Sequence, residues 1–281
     1  MSKKILILGG DGMLGHDLVA AFSDYQLTTW SSTDLDITNG VAVRAKVTAL
    51  KPDIIINAAA YTNVDGAEKE KDLATTVNGT AVAYLADIAH QLAIPLVHFS
   101  TDYVFEGTDK HGYIEDAATK PVNAYGHSKE VGEKLLQERH DKFYLIRTSW
   151  LYGKAPQKGK PRGLNFVETM LSLAQQGREI KVVNDQFGKP TFTHDLAQAT
   201  RKLVEDQAPF GIYHLVNEGV CSWYDFAKKI FEIKGIDVNL HPIGSKDYPL
   251  PTPRSKYSIL INTKTEQLRS WEKALRDYLK Q

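Results

Sequence analysis

The stretch YGHSK, residues 125–129, sets a tyrosine four positions before a lysine. On an α-helix, positions i and i+4 share a face, so Tyr125 and Lys129 would project side by side. A free phenol, with a pKa of about 10, exchanges its proton poorly at neutral pH. A neighbouring ammonium favours phenolate and lowers that value, which would tune Tyr125 as an acid catalyst. An isolated Y-x-x-x-K is more often an ordinary amphipathic turn, so its surroundings decide.

A second stretch, ILILGGDGMLGHDL (5–18), reads as a strand, a glycine turn and a helix start. Gly9, Gly12 and Gly15 recur every three residues. Such spacing lets the chain turn sharply, brings backbone N–H groups close to a pyrophosphate and packs helix against strand. The helix N-terminus adds partial positive charge. At the head of a βαβ series this predicts a dinucleotide site. An acid ending the second strand would favour NAD, whereas Ser31, Ser32 and Thr33 of TTWSSTD offer donors to a 2′-phosphate. The expected cofactor is therefore NADPH, with NADH possible because no arginine accompanies the serines. Asp36, in LDIT, suits either an adenine amino group or a turn cap.

The elements that must position these groups follow from apolar patterning. KILIL (4–8), DIIIN (53–57), PLVHFS (95–100) and FYLIRTS (143–149) read as buried strands, and TTW (28–30) as a weaker one. Between 72 and 93, Leu73, Val77, Ala81, Tyr84, Leu85, Ile88, Ala89 and Leu92 form one helical stripe. The alternation predicts an α/β fold with a doubly wound, Rossmann-type parallel sheet over 1–150. A smaller α/β region is expected over 151–281, with parts of 165–210 returning to the first domain. The basic segment KAPQKGKPRG (154–163) is an exposed connector or a flap over an anionic ligand. Further helices are expected near 165–177, 194–206 and 222–234, with a last one starting near Thr265. Strands are expected near 180–184 and 211–216, and a proline-rich loop over 248–258.

Lys+Arg and Asp+Glu both number 34, a balance that argues against nucleic-acid or membrane-surface partners. The single cysteine, Cys221, provides neither a disulfide framework nor a metal cluster. Without a secretory pattern or a membrane-length apolar run, the expected location is cytoplasmic.

Thr101, in FSTDYVF, ends the fourth buried strand and lies 24 residues before Tyr125. Thr101, Tyr125 and Lys129 together resemble the site of the extended short-chain dehydrogenase/reductase superfamily. INAAAYTNVDGAE (56–68), STDYVF (100–105), RTSWLYG (147–153) and DQFGKPT (185–191) narrow the resemblance to the dTDP-4-dehydrorhamnose reductase family. The resemblance implies NADPH-dependent reduction of a 4-keto nucleotide sugar, with the second region binding the sugar nucleotide. It assigns proton transfer to Tyr125, the nicotinamide ribose to Lys129 and the substrate oxygen to Thr101. It also implies Gly12, Met13 and Leu14 at the pyrophosphate, beside the Gly9 of the glycine turn, Asp36 and Ile37 at the adenine, beyond Ser31, and Ala60, Tyr61, Thr62 and Phe99 along the cofactor. Thr101, Asp102, Tyr103, Val64 and Trp150 would meet the sugar, although Phe99, Val64 and Trp150 equally suit core packing.

Two departures stand out. The proline loop keeps Arg254, a candidate for the diphosphate or else a solvated side chain, but has Ser255 where the family often has proline. Asp17 replaces a glutamate that bridges a metal-linked dimer in some members, so no metal is expected and the chain reads as monomer or homodimer. Related dehydratases and epimerases are the nearest rivals, yet Tyr103 follows Asp102 where a dehydratase carries a glutamate base. A non-catalytic NADP-binding regulatory subunit is the rival from another class.

Overall fold

The computed structural model describes residues 3–159 and 161–280. Five strands, β1 (Lys4–Leu8), β2 (Gln26–Trp30), β3 (Ile54–Asn57), β4 (Leu96–Thr101) and β5 (Phe143–Thr148), pair in parallel. The strand Gly211–His214 extends this sheet beyond β5, giving the order (211–214)–β5–β4–β3–β1–β2. Alternation sends successive residues of each strand to opposite faces. Ile5, Ile7, Ile54, Ile56, Val97 and Ile146 pack on one face, with Leu18 of α1 (Met13–Ala21), its C-cap Phe22 and Leu196 of the helix Thr193–Glu205. Leu6, Leu8, Ile55, Leu96 and Leu145 pack on the other, with Val43, Val47, Val82 and Leu85. Helices on both faces of a parallel sheet make the doubly wound architecture expected from the sequence.

The expected helix over 72–93 is helical, but not uniformly α. Lys71–Thr75 runs into a π turn, Thr76–Thr80, before α-helix resumes over Ala81–Leu92. The wider turn inserts a residue and rotates the preceding face, so Leu73 leaves the stripe and is 48% exposed. The last helix is Trp271–Lys280, later than the expected start near Thr265. Asn262 Oδ1 accepts the N–H groups of Lys264 and Thr265, which holds that segment in a turn.

Tyr152, Val167, Met170, Phe192, Phe226, Ile230 and Trp271 form a separate core. Small sheets surround it: Ile180–Val183 with Leu240–Ile243, Leu151–Tyr152 with Thr191–Phe192, and Cys221–Ser222 with Phe187–Gly188 and Tyr257–Ser258. No helix among the described residues is long and apolar enough to cross a membrane.

Candidate active site

The glycine turn joins β1 to α1. Gly9 N–H donates to the Trp30 carbonyl at 2.8 Å, and Gly12 N–H to the Gly9 carbonyl at 3.0 Å. A Cβ at Gly15 would stand 2.0 Å from the Gly9 oxygen, so only glycine lets the helix pass this close. Gly12 is the N-cap of α1 and has no side chain to satisfy the first turn. The leading N–H groups, around Met13 and Leu14, are therefore free for an anion, as a pyrophosphate requires. These residues fit a dinucleotide.

At the rim of β2, Ser31 is less free than its sequence suggests. Its Oγ donates to Asp34 Oδ2 at 2.7 Å, and its N–H donates to the same oxygen at 2.8 Å. A carboxylate thus reaches the strand end after all. Hydrogen bonds from the Ser31 backbone and side chain hold the Asp34 carboxyl below its ordinary pKa. Lys46 counters it: Nζ donates to the Asp34 carbonyl and lies 5.9 Å from the centre of the Trp30 ring. Lys46 belongs to the helix Gly40–Leu50, an element beyond those expected from the sequence. Its apolar signal was short, with only Val43 and Val47 of that helix buried. Asp36 acts as a cap, accepting the N–H and hydroxyl of Thr38 at 2.9 and 2.7 Å, and Ile37 lies in the core.

Tyr125 and Lys129 occupy the first two turns of the helix Ala124–Arg139. Asn123 caps it by accepting the Gly126 N–H at 2.8 Å. A Cβ at Gly126 would stand 2.2 Å from the Tyr103 oxygen, so this glycine brings the helix onto the β4 rim. There the Tyr103 and Tyr125 rings meet edge to face, 5.7 Å apart. Burial pushes the Tyr125 phenol pKa upward, reinforced by Asp102 and Tyr103, while Thr101 acts in the opposite sense. Lys129 stands one turn further along the same helix. Its Nζ donates to the Phe99 carbonyl at 2.9 Å, and burial brings the lysine itself down to about 8. The Phe99 side chain belongs to the core; its backbone carbonyl is what reaches the site.

Thr101 Oγ1 donates to Asp102 Oδ1 at 2.8 Å and accepts the Tyr103 N–H at 3.2 Å. Asp102 is 3% exposed, and burial raises its pKa to about 6, a rise that the Thr101 hydroxyl partly offsets. Arg254 reaches the same region. Its guanidinium lies 5.9 Å from the Tyr103 ring centre and pairs with Asp65 at 2.7 Å. Val64, beside Asp65, opens a short helix and is half-buried.

Ala60, Tyr61 and Thr62 follow β3. Asn78, buried in the π turn, accepts the Tyr61 N–H at 2.9 Å and donates to the Tyr61 carbonyl and Ser128 Oγ, each at 3.0 Å. It ties the segment after β3 to the helix of Tyr125, a role invisible in an apolar pattern. Thr62 Oγ1 donates to the Lys158 carbonyl at 3.0 Å, and the Lys158 ammonium pairs with Asp11. The basic segment thus crosses the glycine turn; its Lys160 lies outside the described residues. Trp150 has a left-handed backbone (φ 47°) and stacks on Trp223 at 3.5 Å, so it faces the second core. Asp17 is buried and accepts the Thr193 hydroxyl, joining α1 to the helix Thr193–Glu205.

The family model described as RmlD substrate binding domain matches residues 3–281. The chain is 39% identical over 284 residues to the Bacillus subtilis spore coat polysaccharide biosynthesis protein SpsK, covering 99% of this chain and 97% of that one. It is also 39% identical over 279 residues to dTDP-4-dehydrorhamnose reductase of Escherichia coli, covering 94% and 91%. A crystal structure of dTDP-4-dehydrorhamnose reductase from Bacillus anthracis in complex with NADP superposes with a TM-score of 0.94, at 39% identity and 99% coverage of both chains. With the strand order, the glycine turn and the Thr-Tyr-Lys cluster already in place, these matches settle the family: the chain belongs to the dTDP-4-dehydrorhamnose reductases.

Proposed function

We propose that the protein reduces the 4-keto group of dTDP-4-dehydro-L-rhamnose to give dTDP-L-rhamnose, with NADPH as cofactor and Tyr125 as proton donor. The observation that supports this reading is that the helix of Tyr125 and Lys129 packs at the end of β4, where Lys129 Nζ reaches the Phe99 carbonyl and Thr101 closes the strand, on the same sheet edge as the uncapped start of α1. The cofactor fits because the uncapped first-turn N–H groups of α1 can donate to a pyrophosphate and Gly15 lets the turn close beneath it. Gly9, Gly12, Met13 and Leu14 would hold the diphosphate, Ser31 and Lys46 the adenosine end, and Lys129 the nicotinamide ribose. Bound NADPH supplies the hydride for the ketone carbon.

The chain's own residues manage the oxygen. Burial keeps the Tyr125 phenol protonated at neutral pH, so it is charged with the proton that an emerging alkoxide needs. Thr101 hydrogen-bonds the same oxygen, and Asp102, Tyr103 and Val64 line the sugar's approach. Arg254, steadied by Asp65 and the Tyr103 face, suits the substrate diphosphate.

The test is to mix the purified protein and NADPH with a panel of 4-keto sugar nucleotides, following absorbance and product mass. Loss of one NADPH per ketone and gain of two hydrogens in the product is expected with the rhamnose precursor. Water elimination from dTDP-glucose without net cofactor consumption would instead support the dehydratase reading.

A further inference from the structure

The opposite end of the sheet carries metal-ligating side chains that the reductase chemistry does not use. His90 lies in the last turn of the helix Ala81–Leu92, and His140 is the C-cap of the helix Ala124–Arg139. Asp141 follows, just before β5. The ligating atoms of His90, His140 and Asp141 all lie within 4.8 Å of one another. The two imidazoles meet edge to face with centroids 5.9 Å apart, and His140 Nδ1 is 3.8 Å from Asp141 Oδ1.

His140 is 3% exposed, and its Nε2 is 2.9 Å from the Ile94 carbonyl. A carbonyl oxygen can only accept, so Nε2 carries the proton and Nδ1 presents a lone pair. That buried Nδ1 has no hydrogen-bond partner among the described residues. Metal-ligating histidines are commonly built this way, with the second nitrogen donating to a carbonyl that fixes the tautomer. Both histidines sit at helix C-termini, where the carbonyl ends favour a cation. Of the nearby cations, Arg139 is taken up by Asp87 at 3.0 Å, and Lys142 Nζ turns to the Ala93 carbonyl at 3.4 Å.

We propose that His90, His140 and Asp141 bind one divalent transition-metal ion of the zinc class, with water completing a tetrahedral set. Two imidazoles, a carboxylate and one open position form a recurrent zinc ligand set. His90 and Asp141 are exposed and can rotate towards an anchored His140. The ion would tie together the ends of two helices. One of these bears Tyr125 and Lys129 at its far end, so the ion acts as a staple and not as a reactant.

The test uses the full chain, stripped with EDTA and titrated with zinc chloride by calorimetry, alongside melting curves. One equivalent should bind, and the melting temperature should rise with zinc concentration. His90→Ala, at an exposed position that leaves the core intact, should weaken zinc binding by at least about 10-fold and remove the rise. Asp141→Asn should weaken binding as well. Failure of the wild-type chain to take up zinc at submillimolar concentration, or unchanged zinc affinity in His90→Ala, would overturn the proposal.

Discussion

Thr101 commits its only hydroxyl proton to Asp102, Oγ1 to Oδ1 at 2.8 Å, while accepting the Tyr103 N–H on the same oxygen. That proton can serve Asp102 or a substrate oxygen, but not both at once. Asp102 Oδ2 is buried without a hydrogen-bond partner among the described residues. The aspartate is therefore strained in its ionised form, and the strain sits where the sugar is proposed to bind.

This strain should appear in stability. The folded-state pKa of Asp102, about 6, lies above the ordinary 3.8, so the folded chain binds more protons than the unfolded chain between those values. Stability from this group therefore falls as pH rises through that window and levels off above it, by about 3 kcal/mol. Asp102→Asn lacks the titration. Urea midpoints of both proteins from pH 4 to 8 should show the variant gaining on wild type as pH rises. A difference independent of pH would contradict the assignment.

The cofactor's adenosine end faces opposed charges. Lys46→Met should weaken NADPH binding about 2- to 5-fold, the size of one exposed charge contact, and leave NADH nearly unaffected. Asp34→Asn should shift preference the other way, towards NADPH, because it removes a carboxylate from Ser31. Fluorescence titration with both cofactors distinguishes these effects from equal losses, which would place the 2′-phosphate elsewhere.

The helix carrying Tyr125 is locked to β5 by a buried ion pair, Arg147 with Glu133 at 2.6 Å. Arg147 also donates to the Glu115 carbonyl at 3.0 Å and lies over Phe105 at 5.0 Å. Arg147→Met should destabilise the chain by about 3–5 kcal/mol, because it strands a buried carboxylate. Adding Glu133→Leu should restore much of that loss. A single-variant loss below about 1 kcal/mol in urea unfolding would show that the pair is dispensable.

The sheet strands were legible in the sequence because residues buried on both faces leave continuous apolar runs, as in KILIL and DIIIN. The glycine turn was legible because Gly9, Gly12 and Gly15 answer a backbone need at fixed spacing. Asn78, Lys46 and the Arg147–Glu133 pair were not, since each acts on a residue distant in the chain and has no periodic signature. The Tyr-Lys spacing placed both residues on one helix but carried no information on burial. Spacing reports neighbours; it does not report that burial dominates the phenol or that Lys129 turns to the Phe99 carbonyl. The stack of Trp150 on Trp223 likewise joins residues far apart in the chain.

The central claim is that Tyr125 delivers the proton. Tyr125→Phe keeps the ring and its edge-to-face contact with Tyr103 but removes the transferable hydrogen. Steady-state NADPH oxidation with dTDP-4-dehydro-L-rhamnose, with melting curves to establish folding, is the direct measurement. The account predicts a fall in kcat of about 10²–10⁴ with NADPH affinity retained, because the glycine turn still holds the diphosphate. Turnover near that of wild type in a folded Tyr125→Phe protein would contradict it.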